Sequence, residues 1–119
     1  MIKPVARVRP AGLTPSETQG LQQFRTDLCA RLGRAFEEIR LFGSKARGDS
    51  RPGSDIDVLV IVGTDDWHMV DTVYDIATDI QLDHGLLISP KVISRRHFDR
   101  CQALGTSFIN NVINEGVPV

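Results

Sequence analysis

Gly43-Ser44-Lys45-Ala46-Arg47-Gly48-Asp49, followed after four residues by Ser54-Asp55-Ile56-Asp57-Val58-Leu59-Val60-Ile61-Val62, is the stretch on which the rest of the chain hangs. Its second half, residues 56–62, is a nearly continuous β-branched apolar run, which predicts a central strand covered on both faces. Upstream, residues 36–42 alternate, with Ile39 and Leu41 on one face and Glu38 and Arg40 on the other. That is the period of a half-buried strand, and it runs directly into Gly43-Ser44. Arg51-Pro52-Gly53 supplies a turn signal between the two strands.

The polar residues in this stretch carry the chemistry. Residues two apart on a strand share a face, so Asp55 and Asp57 project two carboxylates side by side at the start of the central strand. Adjacent anions raise each other's proton affinity, and a divalent cation shared between them is the simplest compensation. Carboxylate ligation selects a hard ion, Mg2+ or Mn2+, completed by water and phosphate oxygens. A strand that ends in glycine and turns into a helix start exposes backbone N–H groups to which a phosphate can come close. Ser44 adds a hydroxyl donor, and Lys45 and Arg47 add positive charge against a triphosphate. Phosphate donors facing metal-binding carboxylates define a slot for a nucleoside triphosphate and a phosphoryl-type transfer.

Outward from this centre, Thr14-Pro15-Ser16-Glu17 reads as a capping box that opens a helix, with Leu21, Phe24, Leu28 and Leu32 as its apolar stripe and an end near Gly33. Residues 65–83 predict a second helix, with Trp67, Val70, Tyr74 and Ala77 as the inward stripe. Residues 86–94 predict a third strand, which Pro90 places at a sheet edge or a bulge. Ser94 then caps a helix lined by Phe98, Cys101, Leu104, Phe108 and Val112, bent or divided at Gly105 and stopped at Gly116. The expected fold is α/β (α+β), a small mixed sheet of three or more strands packed with helices. Residues 1–12 are expected to be a tail and residues 13–119 a single domain.

Composition narrows the class. Lys and Arg number 14 against 15 Asp and Glu, a net charge of −1, which does not indicate a nucleic-acid footprint. No apolar run reaches the roughly 18 residues of a membrane span, and the N-terminus lacks the apolar core of a secretion signal. The two cysteines, Cys29 and Cys101, fit a reduced cytoplasm better than a disulfide framework.

Gly43-Ser44, ten residues, then Asp55-Ile56-Asp57 resembles the G-S-x10-D-x-D signature of the DNA polymerase beta-like nucleotidyltransferase superfamily. Residues 41–60 resemble, more narrowly, its minimal nucleotidyltransferase (MNT) group, in which G-S-x-A-R-G and S-D-I-D are typical. The resemblance implies a metal-dependent enzyme that moves an NMP, AMP in the first instance, from an NTP to a hydroxyl acceptor. It implies Asp55 and Asp57 as catalytic ligands of two Mg2+ or Mn2+ ions. Gly43, Ser44, Lys45, Arg47 and Ser54 are then nucleotide-binding residues. It further implies a protein partner of HEPN type in a toxin-antitoxin pair, with an oligomer compatible. Relatives usually carry a third carboxylate on the following strand, whereas residues 86–94 hold no Asp or Glu. Asp83, just before that strand, is the nearest substitute. The missing acid keeps a second reading open, a catalytically weakened module that restrains a partner by contact.

Other patterns yield to bland readings. Gly43 to Ser50 spaces like a phosphate-binding loop but puts Asp49 where that loop needs lysine. Arg47-Gly48-Asp49 spells an adhesion tripeptide without a secretion signal to give it meaning. His97 and Cys101 lie four apart, but the cysteine falls in an apolar stripe. Asp71, Asp75, Asp79 and Asp83 form an acidic stripe best read as a solvated helix face, with docking of a basic partner as the sharper alternative.

Overall fold

The computed structural model describes residues 12–48 and 54–119. The expected tail, apart from Gly12, and the Arg51-Pro52-Gly53 turn lie outside them, as does Asp49. Helix α1 spans Pro15–Leu32 and opens on the capping box. The Thr14 hydroxyl accepts from the Glu17 N–H at 3.1 Å, and the Glu17 carboxylate accepts from the Thr14 N–H at 2.9 Å. Leu21, Phe24, Leu28 and Leu32 are buried, and Gly33 ends the helix at φ 56° and opens a single 3-10 turn, Gly33–Ala35.

Strands β1 (Phe36–Phe42), β2 (Ile56–Val62), β3 (Ile88–Ser94) and β4 (Val117–Pro118) form one mixed sheet in the order β3-β2-β1-β4. β1 pairs antiparallel with β2 and β4, and β2 pairs parallel with β3. Helix α3 (Trp67–His84) makes the crossover that a parallel pair requires. Ile39, Leu41, Val58 and Val60 join α1 and α3 in the main core, whereas Leu59 and Ile61 face Phe98, Ile109 and Val112 in a second cluster. β2 is therefore covered on both faces, as its unbroken apolar run predicts. Pro90 sits on an edge strand, where its missing N–H costs no ladder bond, and the Tyr74 hydroxyl donates to its carbonyl at 3.1 Å.

Two helix stripes differ from expectation. On α3 the buried residues are Val73, Ile76, Ala77 and Ile80, while Trp67 and Tyr74 are 64% and 50% exposed. The i, i+3, i+4, i+7 set of small and branched aliphatics packs more closely on the sheet. The aromatics occupy the rim, where Trp67 stacks on His68 and Tyr74 reaches Pro90. The last helix is divided at Gly105, φ 70°, into α4 (Arg95–Leu104) and α5 (Ser107–Glu115). The break turns Leu104 out to 73% exposure and leaves Phe108 at the rim, edge-on to Phe42, while Ile109 takes the inward place beside Val112. Strand β4, two residues long, is too short to carry a period. Truncating Ile76 to alanine should cost about 2–4 kcal/mol in urea unfolding, and Trp67→Ala about 0.5 kcal/mol or less, the reverse of what the expected stripe implies.

Candidate active site

The antiparallel register ends with Phe42 opposite Asp57, so the residue after β1, Gly43, arrives beside the start of β2. Gly43 holds φ 75°, ψ −156°, a conformation that L side chains rarely adopt. A Cβ there would lie 2.6 Å from Asp57 Oδ2, so the carboxylate rests against the bare glycine backbone. From Gly43 the chain enters a one-turn helix, α2 (Ser44–Arg47), whose Ala46 and Arg47 amides both bond to the Gly43 carbonyl at 3.1 Å. The amides that begin such a turn have no partner within it. Ser44 and Ser54 are half-buried, and the Ser54 hydroxyl oxygen, next to Asp55 in sequence, is buried without a hydrogen-bond partner among the described residues.

Asp57 is half-buried and Asp55 exposed. Burial and the neighbouring Asp55 charge raise the Asp57 pKa above the ordinary carboxylate value, against smaller opposing effects from Lys91 and Arg47. The Asp55 charge acts on Asp57 as the strand spacing predicts. A pair of hard oxygen donors, next to a glycine cradle and an unsatisfied serine hydroxyl, fits a divalent cation bound together with phosphate oxygens. Asp55 and Asp57 are the residues that would hold it. On the β3 side of Asp55 opens a cleft of about 250 Å³ lined by Tyr74, Thr78, Gln81, Leu87 and Ser89.

The basic residues divide. Arg47 is exposed, bonds Glu115 of α5 at 3.2 Å, and acts on the charge of Asp57. Lys45 does not face the phosphate slot as expected. It is 2% exposed, and its ammonium donates to Glu17 Oε2 at 2.8 Å. The acid that completes the cap of α1 is thus also the counter-ion that fastens α2. Burial favours the protonated form of Glu17, but the Lys45 hydrogen bond and charge, with the Thr14 bonds, outweigh it and hold the pKa below the ordinary value. Asp83 does not complete the site: it is exposed on the last turn of α3, and the described residues contain no group of three His, Cys, Asp or Glu placed to hold a metal.

The remaining motifs keep their bland readings. Cys101 packs at the second cluster while His97 is exposed, and the acidic stripe is solvent-facing, with Asp79 4.0 Å from Arg31. Sequence reasoning did not single out Lys91, whose charge acts on Asp57; Pro90 and the lack of an acid were the features read on its strand.

Comparison with known proteins agrees with this geometry. The family described as Nucleotidyltransferase domain matches residues 21–113. A relative from Methanocaldococcus jannaschii, "Putative protein adenylyltransferase MJ0604", is 34% identical over 85% of this chain and 95% of its own length. Among solved structures, "Structure of putative minimal nucleotidyltransferase" aligns with TM-score 0.53 and 24% identity over 85% of this chain and 94% of that one. "Crystal structure of the toxin-antitoxin with AMP-PNP" aligns with TM-score 0.51 and 19% identity over 82% of this chain and 70% of that one. At these identities the two structures establish likeness of fold.

Three substitutions test the assembly of the site. Gly43→Ala should lower stability by about 1–2 kcal/mol through its φ alone, read by urea unfolding, and should displace the Asp57 carboxylate. Lys45→Met should cost about 3 kcal/mol by stranding the Glu17 carboxylate. Glu17 ionises more readily folded than unfolded, so its contribution is full above the ordinary carboxylate pKa and is lost as pH falls through the lowered folded value. Glu17→Gln should therefore flatten the acid limb of the stability–pH curve, read by denaturant midpoints.

Proposed function

Because the chain belongs to the Nucleotidyltransferase domain family, we propose that it is a divalent-cation-dependent enzyme transferring an NMP, AMP in the first instance, from an NTP to a hydroxyl on a partner protein. The observation that carries the reading is the Asp57 carboxylate lying against the bare backbone of Gly43, at the mouth of the Ser44 turn. Gly43, Ser44 and Ser54 bind the β- and γ-phosphates by backbone and hydroxyl donors, and Arg47 adds charge at the rim. Mg2+ or Mn2+, bound by Asp55 and Asp57, would neutralise charge on the α-phosphoryl oxygens. With the pyrophosphate on the β1 side, an in-line acceptor must approach from the β3 side, where the cleft beside Asp55 opens. The acceptor oxygen bonds to the α-phosphorus as the bond to the bridging oxygen breaks. The electron pair leaves with pyrophosphate, and the hydroxyl proton passes to solvent.

A protein acceptor is supported by the adenylyltransferase name of the relative, and a toxin partner, of HEPN type in our reading, by the toxin-antitoxin neighbour. No helix among the described residues is long and apolar enough to cross a membrane. The second reading, a weakened relative that restrains its partner by contact, is favoured by one observation: among the described residues no third acid joins the pair.

Incubation with the cognate partner, Mg2+ and α-labelled ATP separates the two. Label should enter the partner, and an Asp55→Asn, Asp57→Asn variant should lose at least about a hundredfold in rate. Partner inhibition that persists in that variant, with no label transferred by either protein, would instead establish the contact module.

A further inference from the structure

β2 and β3 run parallel with Asp57 opposite Ser89, and residues two apart on a strand share a face. Ser89 and Lys91 therefore stand on the sheet face that Asp57 occupies, with Lys91 exposed. Ser89 is the β3 position beside Asp57, Lys91, opposite Leu59, is the next on that face, and neither is an acid. Resting on the nucleotidyl-transfer reading, we propose that Lys91 replaces a third carboxylate: the site holds one divalent cation, on Asp55 and Asp57, and the Lys91 ammonium supplies the second positive charge against the transferring phosphoryl group.

Ligand supply and charge lead to the same arrangement. A hard cation seeks about six oxygen donors, which two carboxylates can anchor with the help of phosphate oxygens and water. A second ion about 3.5–4 Å away would need an acid of its own, and would have to sit beside an ammonium that repels it. Of the other two cations near the turn, Lys45 is held by Glu17, and Arg47, whose charge also acts on Asp57, is paired with Glu115 at the rim. Among the described residues Lys91 has no ion-pair partner. Its charge already acts on Asp57. A lysine on a flexible four-carbon stem can follow the phosphoryl group as charge shifts during transfer.

Mn2+ binding followed by electron paramagnetic resonance, with and without a non-hydrolysable ATP analogue, tests this. The wild-type chain with analogue should hold one Mn2+, and a Ser89→Asp, Lys91→Ser variant should hold two. Lys91→Met should weaken analogue binding at least about tenfold while tightening Mn2+ alone, and Lys91→Arg should recover most of the analogue affinity. A merely structural lysine would not produce those opposite signs. Two Mn2+ ions in the wild type, or analogue affinity unchanged in Lys91→Met, would overturn the proposal and leave nucleotidyl transfer standing. Absence of Mn2+ and analogue binding from both the wild type and the Asp55→Asn, Asp57→Asn variant would remove the transfer reading, and this proposal with it.

Discussion

The contact between the Asp57 carboxylate and the side-chain-free face of Gly43 is the constraint around which the molecule is arranged. It exists because β1 and β2 run antiparallel and end their pairing at Phe42 and Asp57. The C-terminal end of one strand must then lie beside the N-terminal end of the next. The Gly43-Ser44 turn and the Asp55 and Asp57 pair, separated by ten residues of sequence, become the two walls of one slot. Burying both faces of β2 makes that register costly to change, since a slip by one residue would turn Asp57 into a core and Val58 away from it.

The slot is braced from behind. Lys45, one residue past Ser44, is buried and bonded to Glu17, which also closes the cap of α1. One carboxylate thereby satisfies a helix N-terminus and a buried ammonium, and it couples the first turn of α1 to the first turn of α2. A four-residue helix has little stability of its own. Anchoring its lysine to an 18-residue helix packed on the sheet gives the Ser44 turn a fixed place.

The Asp55 charge raises the Asp57 pKa, Lys91 and Arg47 act against it, and Glu115 pairs with Arg47. Elsewhere Arg95 clamps Glu37 and Glu38 across β1, work that belongs to the scaffold. The net charge of −1 thus conceals a local pattern in which two neighbouring acids are framed by cations.

Local chemistry in the chain was sufficient for the capping box at Thr14, the alternation of residues 36–42, the unbroken run of β2, the edge position of Pro90 and the G-S-x10-D-x-D spacing, because each is set by neighbours within a few residues. Tertiary packing alone decided which stripe of α3 faces inward, since two helical periods competed and only the sheet surface selects between aliphatics and rim aromatics. It also decided the two-residue strand β4, and the outward turn of Leu104 after Gly105. Above all it decided the roles of the lysines. Lys45 pairs with an acid 28 positions away, and the Lys91 charge acts on Asp57 only because β2 and β3 pair in parallel, so neither relation can be read from spacing along the chain.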